Sequence, residues 1–406
     1  MSELTAVRPT GRPAWQIDSA DFWRLWFVGL VVFTVRWVET VAVGVFVYQR
    51  TDSAFLVAMM TMLRLLPMGL FGAFLGAIAE RMERRTTLVI VVASMVVTSV
   101  TLAALAHLHV LEVWHLAVAS FINGIGWATD NPVRRVMIGE VVGSAQMSTA
   151  MSVDVGANNA SRMIGPTVGG LLLASFGIAG VFTLSVVLYA IALIAACRVR
   201  YRNSFPPATA ETVLARIAEG LRLVRSDRRL IGVLTVTVIY NVFGWPFTSM
   251  VPVIGQDHLQ LGPEGIGVLA SMDGIGAFVG AVLMAAFCKP AFYRRAYVGG
   301  VLLYMVMLTA FALIPFPAVA GSALLFTGLG GAGFSIMQAT LVYLSAPPEM
   351  RSRMLGVLSV CIGIGPVGFV ALGWLADGIG ATWATAATGM TGLVMMLLTR
   401  RLWLAI

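Results

Sequence analysis

The chain has 406 residues, 59% of them hydrophobic and only 11% charged, with a net charge of +8. A soluble protein of this length cannot hide so much apolar side chain, whereas twelve membrane spans need about 20 apolar residues each. Composition therefore excludes a soluble enzyme or binding module and points to an all-α membrane protein, with the lipid bilayer as its surroundings.

The basic balance does not indicate a nucleic-acid partner. Of 27 Lys+Arg, 26 are Arg, and most fall in alternate loops: Arg81/Arg84/Arg85, Arg134/Arg135, Arg198 to Arg229, Lys289/Arg294/Arg295, Arg351/Arg353 and Arg400/Arg401. The opposite loops have almost none beyond Arg50. This asymmetry places both termini in the cytoplasm and the basic loops against anionic lipid.

Residues 1–21 form a polar cytoplasmic segment carrying Pro9 and Pro13, without the apolar core of a signal peptide. Span 1, from Phe22 to Tyr48, opens on Trp23, Trp26 and Phe27, an interfacial aromatic belt. Span 2 follows the turn Gln49 to Ser53 and runs to Ala79, interrupted by Arg64 and Pro67. A charged turn, Gly76 to Arg85, leads to span 3 (Thr87 to Ala106), span 4 (ending at Val133), span 5 (Met147 to Phe176) and span 6 (Ile178 to Ala196).

Residues 22–199 thus read as one six-helix bundle and 230–400 as a second, with spans at 230–253, 264–288, 296–314, 319–344, 353–376 and 381–399 and a cytoplasmic tail at 401–406. The connecting segment 200–229 repeats Val213, Leu214, Ile217, Leu221 and Val224 at helical spacing among arginines, the pattern of an amphipathic helix on the membrane surface. Gly165-Pro166 in span 5 recurs as Gly365-Pro366 in span 11, as two parallel repeats would give.

No catalytic or nucleotide-binding motif is present, so the chain does not read as an enzyme, and active transport has to draw on an ion gradient. The cysteines Cys197, Cys288 and Cys361 have no metal or disulfide spacing, and His107, His109 and His115 share a short loop without an acidic cage. No metal and no cofactor are expected.

Gly76 followed by Glu80, Arg81, Arg84 and Arg85 resembles the loop between helices 2 and 3 of the major facilitator superfamily, with Glu80 where the family usually has Asp. Gly165, Pro166, Gly169 and Gly170 resemble the Gly-Pro-x-x-Gly-Gly motif of its antiporters, in which Pro bends the helix and the glycines admit a neighbour. Together with Arg64-Leu65-Leu66-Pro67, Asn131-Pro132, Asn158 and Arg162, and Glu219-Gly220-Leu221-Arg222, these look like the branch that includes the enterobactin exporter and macrolide efflux pumps. Span 1 departs from it, carrying Arg36-Trp37-Val38-Glu39 where members often have Gly-Asp. The resemblance implies twelve helices in two pseudo-symmetric bundles. It also implies that Asp130 and Arg134 join Glu80 and Arg81 in an inner charge network that gates the cavity.

Ionisable groups within spans are costly, which makes them candidates for function. Arg36 and Glu39, three apart on one helix face, are placed to pair. Asp154, Asn158 and Arg162 form a polar stripe on span 5, facing the cavity or another polar helix. Asp273 has no basic residue near it in sequence and reads as the least compensated proton carrier. Glu39, Asp154 and Asp273 are thus the proton-coupling candidates. Arg36, Asn123, Trp127, Asn158, Arg162, Asn241, Trp245 and Gln338 are candidates to line the cargo cavity, with a break in span 7 around Asn241 to Pro246.

The expected function is a monomeric secondary transporter of the inner membrane, exchanging protons for an amphipathic small molecule such as a siderophore or drug. Uptake or metal efflux on the same fold, and a non-transporting scaffold or sensor, are the alternatives.

Overall fold

The computed structural model describes residues 17–81, 83–201, 224, 227–347, 350–404 and 406, with the side chains of 70–81 and 352 outside that description. The charged turn's Glu80 and Arg81 side chains, the surroundings of Gly76 and the connecting segment 202–223 therefore lie outside the described residues.

Long apolar runs become helices because, in hydrocarbon, every backbone N–H and C=O must be paired within its own segment. Helices α1 (Ala20–Thr51), α2 (Ala54–Arg81) and α3 (Arg84–His107) come first. The next helical run, Val113–Cys197, is 85 residues long and is divided by two glycines in the left-handed region, Gly143 (φ 72°) and Gly177 (φ 64°). No side chain meets the space around either glycine, so backbone freedom is what places them there. The run yields α4 (113–142), α5 (144–176) and α6 (178–197). The dihedrals stay helical through Pro166, where a bend was expected.

Helix α7 (228–257) is interrupted by a π-turn at Tyr240–Gly244 and a 3₁₀ turn at Trp245–Ser249, the expected break. Then come α8 (Pro263–Phe287), α9 (Tyr293–Leu313) and α10 (Pro317–Ser345). Helix α11 (351–379) is broken before Gly365-Pro366, and α12 (Ala381–Leu398) is the twelfth long helix among the described residues.

The ends gather on two faces. Arg84 at the start of α3 bonds Glu140 near the end of α4 and Tyr201 after α6, while Arg294 at the start of α9 reaches Leu404 O. This is the terminal face, and the opposite one is the distal face. The sequence ends span 4 at Val133, but α4 continues to the terminal-face glycine because Glu140 finds Arg84 there.

Within lipid, helices associate by close packing, which small residues permit. A Cβ at Gly165 would lie 2.6 Å from Trp37 Cβ, and one at Gly169 would strike Val38 O, so α5 rides directly on α1. Gly365 packs on the Trp245 ring and Gly368 on Val242 O, which repeats that contact between α11 and α7. The two bundles then meet through the same pair of helices. Gly170 of α5 abuts Pro263 O and Gly267 of α8, and Gly373 of α11 abuts Phe55 and Ala58 of α2. The repeat read from Gly165-Pro166 and Gly365-Pro366 is thus a packing device used twice.

Glycines that differ only in their neighbours should differ in tolerance. A Cβ at Gly328 would overlap Asp273 O, whereas one at Gly299 meets nothing within 4 Å. Gly328→Ala is expected to cost about 1–3 kcal/mol by overpacking. Gly299→Ala is expected to be neutral or to gain up to about 1 kcal/mol from helix propensity. Thermal unfolding of the two detergent-purified variants checks the contrast.

Candidate functional site

Charged side chains inside the bundle collect at two depths. The one nearer the terminal face is a sealed cluster. Arg134 donates through Nε to Asp130 Oδ2 at 3.3 Å and through a terminal nitrogen to Asp154, while Arg135 Nε reaches the other oxygen of Asp154 at 3.2 Å. Asp130, Arg134 and Asp154 side chains are all 0% exposed. Gly29 on α1 makes the space, since a Cβ there would sit in the Arg134 guanidinium, and Phe33 lies beneath the same group at 5.1 Å. Below the cluster, Arg84 pairs with Glu140 at 2.6 Å, and Arg85 donates to Cys197 O at 2.8 Å. Helices α3, α4 and α6 are thereby tied at the face.

The second depth is mid-membrane. Glu39 on α1 accepts from Arg64 on α2 at 3.1 Å. Arg64 also donates to Arg36 O and Thr40 Oγ1, both at 3.2 Å. Its position follows from Gly124 on α4, where a Cβ would strike Arg64 O and lie 3.0 Å from Pro67 Cγ. Arg36 turns the other way and lies flat over Trp127 of α4, 3.9 Å from the ring centroid. Val32, Arg36, Glu39, Arg64, Asn123 and Trp127, with Met95 and Tyr189, enclose a narrow void within the first bundle.

Arg162, near the middle of α5, crosses to the other bundle and holds Asp273 of α8 through both Nε (3.1 Å) and a terminal nitrogen. A guanidinium with two donors on one carboxylate oxygen is a directional, charge-assisted contact. Thr167 of α5 binds Ser271 of α8 alongside, at 2.8 Å. Toward the distal face the closure continues. Tyr48 donates to Asp257, and Asp377 of α11 accepts from Ser53 Oγ and Phe55 N, both at 2.9 Å, at the start of α2. These contacts between bundles run from mid-membrane to the distal face, so the state described is closed on that side.

Several sequence expectations change in three dimensions. Arg36 and Glu39 share a helix face but do not pair, because the nearest guanidinium to Glu39 comes from α2 and indoles occupy Arg36. Asp273, isolated in sequence, is compensated by a residue 111 positions away. The stripe Asp154–Asn158–Arg162 is divided between both depths: Asp154 faces α4, Arg162 faces α8, and Asn158 is half-buried between them. Asn123 is buried at the void with its carbonyl oxygen unpartnered.

In the second bundle, Asn241 donates to Thr237 O of its own helix, and Gln338 reaches Thr237 Oγ1 at 3.2 Å. Both belong to a buried polar knot with Tyr297, away from the Arg162–Asp273 pair. Trp245 is half-buried against Phe369 and Gly365. Sequence reasoning missed Arg135, Tyr48, Asp257 and Asp377. Asp257 and Asp377 lie near the distal ends of α7 and α11.

A transmembrane bundle of two related halves, with charge pairs inside the first and one pair across the seam, defines a transporter of the major facilitator superfamily. The family described as transmembrane secretion effector matches residues 16–405, and the chain belongs to it. Macrolide efflux protein A of Streptococcus pyogenes is 22% identical over 370 residues, covering 88% of this chain and 90% of that protein. The multidrug efflux pump Tap of Mycolicibacterium fortuitum is 25% identical over 371 residues, covering 87% and 88%. Among solved structures, a bacterial homologue of the human lysosomal transporter Spinster, in an inward-facing, unoccupied conformation, superposes with a TM-score of 0.74 over 97% of each chain at 15% identity. The family and these relatives are membrane transporters.

Removing one partner of a buried ion pair leaves an uncompensated charge. Arg134→Met strands Asp130, leaves Asp154 with Arg135 alone, and is expected to cost about 3–5 kcal/mol. Arg84→Met at the partly exposed face pair is expected to cost about 1 kcal/mol or less. Adding Asp130→Asn to Arg134→Met should recover part of the loss. Denaturation midpoints of the three variants in one detergent decide it.

Proposed function

We propose that the chain is a proton-coupled exporter of an amphipathic small molecule, drug- or siderophore-like, working by alternating access in the plasma membrane. The Arg-rich terminal face is the cytoplasmic one by the positive-inside asymmetry, so both termini are cytoplasmic and the distal face is outside. The observation that carries the proposal is the Arg162–Asp273 pair, an ion pair spanning the seam between bundles at mid-membrane.

The pair gives a proton something to do. An ionised Asp273 keeps α5 and α8 together in the state closed to the outside. A proton on Asp273 cancels the charge–charge attraction, leaves only a weaker hydrogen bond to the Arg162 guanidinium, and lets the bundles part toward the distal face. Glu39 and Arg64 form a second carboxylate–guanidinium pair within the first bundle, next to the void, where proton binding is exchanged for cargo contact. Asp154, sealed between two arginines, belongs to the latch with Asp130 and Arg134. Bonded to Arg134 and Arg135, it holds α4 to α5 through the cycle.

Asp273→Asn and Glu39→Gln should each abolish gradient-driven efflux while the protein still folds and melts cooperatively. The readout is protection of efflux-deficient cells against macrolides and dyes, followed by efflux in everted vesicles. Full activity in both variants would discard the proton assignment. In a chain whose three cysteines are replaced by serine, Ser53→Cys with Asp377→Cys should cross-link across the distal seam and stop transport until reduced. Undiminished transport by the oxidised protein would sink alternating access through this seam.

A further inference from the structure

Arg36 is a cation with no carboxylate of its own. Glu39 is taken by Arg64 and Asp273 by Arg162. Three arginines against two carboxylates leave an excess positive charge at mid-membrane. Among the described residues, none of the five guanidinium donors of Arg36 meets an acceptor. Its contacts are aromatic: Trp127 at 3.9 Å and Trp37 at 5.7 Å.

The same Trp37 ring lies 5.5 Å from Arg162, the residue that reaches across the seam, so one indole separates the void beside Arg36 from the pair between the bundles. Trp37 and Trp127 each also carry a buried indole N–H without a partner. Around Arg36 the site therefore offers a spare cation, two unused N–H donors and two flat apolar surfaces. Cation–π contact contributes only about 0.5–2 kcal/mol, far less than a guanidinium loses on leaving water. A charge kept at that cost without a protein counter-ion has its counter-ion elsewhere.

From this we infer that Arg36 is the recognition residue for an acidic group, a carboxylate or equivalent oxyanion, on an aromatic or otherwise flat cargo that slides against Trp37 and Trp127. The inference rests on the exporter reading above for the identity of the site, but it concerns cargo charge and not protons. The cargo's acid replaces the acceptor the protein omits, and its apolar body takes the indole faces.

The test uses the full chain in nanodiscs, without any gradient, and three probes sharing one ring system: 1-naphthoate, 1-naphthamide and 1-naphthylmethylammonium, with empty nanodiscs correcting for lipid partition. Naphthoate is expected to bind the wild type roughly 10- to 100-fold more tightly than naphthamide, the range for one charge-assisted contact, and the ammonium most weakly. Arg36→Gln should bring naphthoate down to the naphthamide level, with Arg36→Lys recovering part of the difference. Equal binding of naphthoate and naphthamide to the wild type, preference for the ammonium, or binding of none overturns the inference without recourse to a variant. Unchanged naphthoate affinity in folded Arg36→Gln does the same. Naphthoate binding through Arg36 in a protein that moves no protons would keep this inference and discard the coupling. Proton-driven efflux in a protein preferring the ammonium would do the reverse.

Discussion

Charge in a medium of low polarisability must be matched, and the whole interior of this protein is arranged by that requirement. A carboxylate or guanidinium at mid-membrane is tolerated when a partner is within hydrogen-bond reach. Glu39 meets that need within one bundle, through Arg64, and Asp273 meets it across the seam, through Arg162. The second arrangement makes a chemical requirement into a mechanical one. Parting the bundles past mid-membrane would break that pair, so its two charges weigh against any such motion. The glycines of α5 bring the backbones close enough for the pair to form, with Gly274 of α8 set against Arg162 O.

The architecture was legible in the sequence because span length and loop charge are imposed residue by residue, with no need of a partner. Helices α8, α9, α10 and α12 begin and end close to where the apolar runs do. Duplication was legible too, since Gly165-Pro166 and Gly365-Pro366 do the same work against Trp37 and Trp245. Pairings were not. Arg64 lies 25 positions from Glu39 and Arg162 lies 111 from Asp273, and only the bundle's topology brings them together. Helical periodicity groups Asp154 with Arg162 on one stripe. It could not reveal that α5 meets α4 at one height and α8 at another, which gives the two ends of the stripe different partners.

The two charge sets also divide labour by accessibility. The Asp130–Arg134–Asp154 cluster is closed to solvent and ties helices of one bundle, which suits a rigid unit. At mid-membrane, Arg162 retains 27% side-chain exposure and Arg36 is half-buried, as groups that exchange partners must be. A transporter needs both: bundles stiff enough to move as bodies, and a seam whose contacts can be replaced by cargo or proton.

The bond from Asp377 to the first turn of α2 has a further consequence. Phe55 N–H has no carbonyl one turn earlier to bond, and it takes its acceptor from α11 in the opposite bundle, while Ser53 serves Leu56 N–H locally. The site is exposed, so water substitutes for Asp377 once α11 withdraws, at a loss of about 1 kcal/mol or less. The distal rim is therefore held by a contact that water can replace at little cost. The Arg162–Asp273 pair lies deeper, where the Asp273 side chain is only 9% exposed, so the edge of the seam and its middle are fastened by contacts of different kinds.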